Sequence, residues 1–206
     1  MKRVTFIMVL AVLVCSFGVA NADLVSMDGG KFGTDAITLD TETSLEWLDI
    51  TFSTNYSYNQ IIAETQSGGY FEGYRLATFT EMIGLWTNAD IDLNYANVFT
   101  PINYGPISNL QSFIGTTNLD ETQTWGMVDP TGSGTSTDMA AGLLFVDAET
   151  SGRYSPYYGF DSNFAREDFG SYLVKTTAVP LPSSIILLGT GLLGIMTVSR
   201  RKLKNS

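Results

Sequence analysis

Two long apolar runs bracket the chain, residues 4–19 near its start and residues 181–198 near its end, and between them the hydrophobic pattern changes every ten residues or so. Ala36-Ile37-Thr38-Leu39-Asp40 and Leu45-Glu46-Trp47-Leu48-Asp49 predict two short strands, joined by the polar turn Thr41-Glu42-Thr43-Ser44. Residues 57–65 predict a helix with Ser57 as N-cap, ended by Gly68-Gly69. A second helix is announced by Thr78 or Thr80 with Glu81, and Met82, Ile83, Leu85 and Trp86 supply its apolar positions. Periodicity then fades, and the Asn, Tyr, Pro and Gly of residues 88–119 predict loop with one short helix at 108–114. Residues 122–128, 140–147 and 170–176 predict three later strands. The first two are separated by a Gly-, Ser- and Thr-rich loop at 131–137, and the last two by an irregular aromatic stretch at 153–160. The expected fold is therefore α+β: one domain with early helices and a late antiparallel sheet.

The flanking runs set the boundaries of that domain. Lys2 and Arg3 precede the first run, and Ala20-Asn21-Ala22 follows it with small side chains at alternate positions. This is the pattern of a secretory signal peptide at 1–22, with cleavage between Ala22 and Asp23. An uncleaved anchor is the alternative, but the run is short against the ~20 residues of a spanning helix. At the far end, Val179-Pro180-Leu181-Pro182-Ser183 breaks the chain before the 18-residue run 181–198, and Arg200, Arg201, Lys202 and Lys204 follow. Prolines tolerate only the start of a helix, and a basic cluster stays cytoplasmic, so the order reads as break, membrane helix and stop. The globular domain then occupies residues 23–178.

Composition narrows the chemistry open to that domain. Cys15 is the only cysteine and lies in the signal peptide, so the mature domain has no disulfide and no thiolate. Histidine is absent from the chain, which removes the usual general base near neutral pH and the Ser-His-Asp arrangement. No metal site and no cofactor are expected. Residues 23–178 hold all 21 acidic residues against Lys31, Arg75, Arg153, Arg166 and Lys175, a net charge of −16. Such a surface repels phosphate backbones, so nucleic acid is excluded as a partner.

The C-terminal string Val-Pro-Leu-Pro-Ser-Ser, the Leu-Leu-Gly-x-Gly-Leu-Leu-Gly run and the Arg-Arg-Lys cluster together resemble the PEP-CTERM sorting signal of Gram-negative bacteria. The resemblance covers residues 179–206, with Leu181 where the name-giving signal has Glu. It implies an exosortase-type membrane peptidase as partner, transient membrane attachment through the C-terminal helix, and delivery to the envelope, cell surface or biofilm matrix. A plain single-pass anchor is the alternative. More loosely, the order of phrases from Leu39 to Thr176 resembles the Lcl C-terminal domain and similar C-type-lectin-like modules. Gly73-Tyr74-Arg75-Leu76-Ala77-Thr78 stands for that family's Gly-Trp-Arg-Leu-Pro-Thr, Trp125 for its strand tryptophan, and Leu144-Phe145-Val146-Asp147 for its late strand.

Few residues in the middle are candidates for a site. Arg75 is a candidate for an anionic sugar, or else for an ion pair with a nearby carboxylate. Tyr154, Tyr157 and Tyr158, with Phe160, are candidates for a sugar-stacking platform, or else for an ordinary packed loop. Asp90-Ile91-Asp92-Leu93-Asn94 alternates oxygen ligands, but Tyr95 and Pro101 stand where a calcium loop needs Gly and Glu. Adjacent acids such as Asp120-Glu121 and Glu167-Asp168 point apart and fix no catalytic separation. The expected function is that of a non-enzymatic exported protein that binds extracellular polysaccharide or builds the matrix. The other reading is a secreted enzyme acting on matrix glycans through carboxylates.

Overall fold

The computed structural model describes residues 23–118, 120, 122–130, 139–147 and 150–177, without the side chains of Met139 and residues 157–160. The signal-peptide, loop and C-terminal helix expectations at 1–22, 131–137 and 178–206 lie outside the described residues. One compact unit ends at Lys175, and of the second unit, Thr176–Ser206, only Thr176 and Thr177 are described. No helix among the described residues is long and apolar enough to cross a membrane.

The architecture is α+β, as expected, with two mostly antiparallel sheets in place of one late sheet. Strands β1 (Leu24–Met27), β2 (Ile37–Asp40), β3 (Leu45–Leu48), β4 (Arg75–Leu76) and β9 (Leu173–Thr176) form the first, in the order β1-β2-β3-β9-β4. Strands β5 (Gln123–Val128), β6 (Met139–Asp147), β7 (Ser151–Phe160) and β8 (Gly170–Ser171) form the second, in the order β7-β6-β5-β8. The predicted β2–β3 hairpin forms with Ile37 opposite Leu48 and Asp40 opposite Leu45. Its turn closes with Ser44 at φ 58° and with the Asp40 carboxylate accepting from the Glu42 and Thr43 amides.

Three α-helices lie among the described residues: α1 (Tyr58–Glu64), α2 (Phe79–Asn88) and α3 (Tyr104–Ile114). The first two begin where their sequences say. Ser57 accepts from the Gln60 amide while Gln60 Oε1 accepts from the Ser57 amide, and Thr78 and Glu81 do the same for α2. Helix α1 stops at Thr65, before Gly68-Gly69. Helix α3 begins four residues ahead of the expected 108. Gly105 and Pro106 conceal its first turn, where a missing N–H costs little because those amides have no intrahelical partner.

Two more expectations are corrected. Residues 153–160 are not an irregular stretch but most of β7, paired with β6 in a register that sets Pro156 opposite Gly142. Proline normally argues against a strand, and it is tolerated here because β7 is the edge of its sheet. Residues 170–176 are not one strand. Gly170–Ser171 pairs in parallel with β5, Tyr172 intervenes, and Leu173 and Val174 pair with β4 in the other sheet.

That crossing lets neighbouring residues face two hydrophobic clusters. On β3, β5 and β9 the odd-even alternation sends Trp47, Val128 and Val174 to one cluster and Leu48, Met127 and Leu173 to the other. The first cluster includes Met82, Leu85 and Trp86 of α2 and Ile107, Leu110 and Ile114 of α3. The second gathers Phe32, Ile61, Phe71, Tyr74 and Phe169. Full burial of side chains such as Trp47, Trp86, Phe71 and Phe169 is worth about 1.5–3 kcal/mol each, and since a single cysteine allows no internal disulfide these clusters carry the stability.

Candidate functional site

Arg75, on the two-residue strand β4, has its guanidinium committed. Its two terminal nitrogens donate to the Glu81 carboxylate at 2.8 and 2.6 Å, and one also donates to the Leu76 carbonyl at 3.0 Å. The ion pair named as the alternative role is therefore present. The Arg75 hydrogen bonds, reinforced by the Thr78 amide, hold the Glu81 carboxyl below its ordinary value, and Glu81 in turn raises Arg75.

Tyr154 is 4% exposed, with its ring edge-on to Trp86 at 5.5 Å and its hydroxyl donating to the Leu93 carbonyl. It belongs to the core, so an exposed stacking platform cannot include it. The reason is positional: strand residues alternate faces, and Tyr154 falls on the side of β7 that covers α2. The side chains of Tyr157 and Tyr158 lie outside the described ones. The acidic stretch 90–94 serves the backbone. Asp92 accepts from the Asn94 amide at 3.0 Å, and Asn103 brackets the Asp92 amide and carbonyl at 2.8 and 3.1 Å. No group of three or more carboxylates converges for a metal among the described residues.

Sequence reasoning did not find an open groove on the described surface. Three segments far apart in the chain meet there: the 3₁₀ turn Ile50–Ser53 with Thr54, the Thr116-Thr117-Asn118 stretch after α3, and Arg166-Glu167-Asp168 before β8. The open groove they enclose has a volume of about 640 Å³. Internal bonds fix its walls. Asp49 Oδ1 accepts from the Thr51 amide at 2.9 Å and from Thr51 Oγ1 at 2.6 Å. Asn118 Oδ1 accepts from the Thr122 and Gln123 amides at 3.0 and 2.8 Å, while Thr117 Oγ1 accepts from the Trp125 amide at 3.1 Å. Behind the wall Asp49 meets Gly115, whose φ of 83° and ψ of 166° suit glycine alone; a Cβ there would come within 2.8 Å of Asp49 Cγ. Burial pushes the Asp49 carboxyl up despite its two bonds from Thr51.

At the groove's other side Arg166 donates to Asp168 at 2.5 Å, and its guanidinium stands 5.3 Å from the centre of the Trp125 ring. Glu167 and the Thr116 hydroxyl have no partner among the described residues. Only the adjacency Glu167-Asp168 was visible beforehand, because a groove made by three loops leaves no periodic trace.

The chain's other functional element lies at its C-terminus. Residues 178–202 match a protein-sorting motif, of the kind that directs export from the C-terminus. The motif is the PEP-CTERM protein-sorting motif, and it implies exosortase-dependent export to the cell surface. It covers the residues Val179, Pro180, Leu181, Pro182, Ser183, Arg200, Arg201 and Lys202 named above. No curated protein and no solved structure matches the chain, so the likeness to C-type-lectin-like modules rests on the sequence phrases alone.

Proposed function

We propose that this is a non-enzymatic surface protein of a Gram-negative envelope, freed from its C-terminal helix by an exosortase-type peptidase, whose domain binds polysaccharide in the extracellular matrix. The observation that carries the reading is the sorting motif at 178–202. The small residues Ala20 and Ala22 ahead of Asp23 supply the matching export signal at the other end. A domain of net charge −16, without histidine or mature cysteine, is suited to a soluble exterior role and poorly supplied for hydrolysis. The sequence phrases shared with C-type-lectin-like modules point the same way.

The test is processing in a host that carries the peptidase. Intact-mass measurement of exported protein should show a chain lacking Arg200, Arg201, Lys202 and Lys204. Replacing Pro180, Leu181 and Pro182 together by Ala should leave full-length protein in the membrane, because an extended backbone is what a peptidase accepts. A wild-type product that retains its basic tail identifies a plain anchor instead. Release of sugar from a polysaccharide incubated with the exported protein would favour the enzyme reading.

A further inference from the structure

We infer that the groove between Thr51, Thr116 and Glu167 is a binding site for a non-acidic polysaccharide. The inference rests on the polysaccharide reading above and adds to it a location and a charge preference. The volume, about 640 Å³, falls within the range of ligand sites, and the residues that line it are all of polar or charged type, with the apolar surface coming from their methyl and methylene groups and not from hydrophobic side chains. Threonines supply it with hydroxyls beside methyl groups, the same mixture that a pyranose presents through its hydroxyls and C–H faces. Thr51 Oγ1 and Thr54 Oγ1 spend their protons on Asp49 and on the Thr51 carbonyl, and so face the groove as acceptors. The Thr116 hydroxyl and the Glu167 carboxylate, with no partner among the described residues, are the groups left for a ligand. Because the walls are held by bonds from Asp49, Asn118 and Thr117, little ordering would oppose binding.

Charge decides between saccharides. The single cation of the groove, Arg166, is neutralised by Asp168, and Glu167 leaves one negative charge within a domain of net −16. A uronic-acid polymer would meet repulsion with nothing to compensate it, whereas neutral and amino sugars meet hydroxyls and a carboxylate.

The chain carries its own reporter. Trp47 and Trp86 are 1% and 0% exposed, but Trp125 is half-buried against the Arg166 guanidinium. Exported protein should therefore show a saturable change in tryptophan emission with cellohexaose or chitosan hexamer and none with hexagalacturonate. Thr116→Val and Glu167→Ala should each weaken the binding about fivefold, the loss of roughly one hydrogen bond, without moving the thermal midpoint. Binding that both variants leave unchanged would place the glycan elsewhere and overturn the groove while sparing the polysaccharide reading. No binding of any of the three would overturn both, and a preference for hexagalacturonate would overturn the charge argument.

Discussion

Glu81 holds Arg75 and caps α2 with one carboxylate. Its oxygens accept from the guanidinium at 2.6 and 2.8 Å and from the Thr78 amide at 2.8 Å, so the short strand β4 and the helix that follows are fixed to each other. Arg75 is half-exposed, and solvent screening limits the pair itself to about 0.5–1 kcal/mol; losing the capping box as well brings Glu81→Ala to about 1–2 kcal/mol. The folded pKa of Glu81 lies below its ordinary 4.5, so its contribution is complete above that value and disappears as pH falls through the folded one. Urea denaturation should therefore find Glu81→Gln less stable than wild type at pH 7, with the difference shrinking as pH falls below 4.5.

Asp49 has the opposite sign. Burial raises its pKa, so the ionised form opposes folding at neutral pH and ceases to do so as acid protonates it in both states. Asparagine keeps an acceptor for the Thr51 amide and removes the charge. Asp49→Asn should raise the melting midpoint at pH 7, with the gain closing toward pH 3. A lower midpoint at pH 7 would mean that the charge-assisted bonds to Thr51 outweigh burial.

Both carboxylates bear on how far the sequence could be read. Ser57 with Gln60 and Thr78 with Glu81 act within four residues, and short-range chemistry of that kind placed α1 and α2 correctly. Pro156 and Pro106 misled, since the penalty that proline carries in a strand or helix vanishes on the edge of a sheet or in a first turn. Strand β1 went unseen because its four residues, half of them exposed, become a strand only by pairing with β2. Residues 170–176 split between two sheets for a reason no local window holds, namely that β5 and β4 lie on either side of Tyr172. The groove was the least legible feature, being made of three loops whose meeting is tertiary.

Gly142 marks another tertiary constraint. It lies on β6 directly under α2, and a Cβ there would come within 2.6 Å of Trp86 Cζ2 and closer still to Met82 Sδ. Gly142→Ala should cost about 1–3 kcal/mol through overpacking. Met82→Ala opens space at the same point, so the double variant should cost less than the two single substitutions summed. A double-mutant cycle with no coupling would show that α2 shifts as a whole to admit the methyl group.

The mature N-terminus is the last outcome to be measured, and the structure gives it a physical stake. Asp23 precedes β1, and its backbone amide donates to Thr41 Oγ1 at 2.9 Å while its carbonyl accepts from the Thr41 amide and hydroxyl at 3.1 and 3.0 Å. Those bonds fasten β1 to the turn after β2, and Leu24 beside them is buried. Cleavage after Ala22 preserves every one of them, because the nitrogen set free as an ammonium still donates. Cleavage two residues later would remove both Asp23 and Leu24, shortening the edge strand β1 and losing its fastening to Thr41. N-terminal sequencing of exported protein should therefore begin at Asp23, and Ala22→Leu, which overfills the small-residue pocket, should block maturation without unfolding the domain. Thr41→Val should lower stability by about 1 kcal/mol in the mature chain, the worth of a side-chain hydrogen bond at a partly exposed site. A mature protein beginning at Val25 or later, with an unchanged melting midpoint, would refute the role assigned here to Asp23 and Thr41.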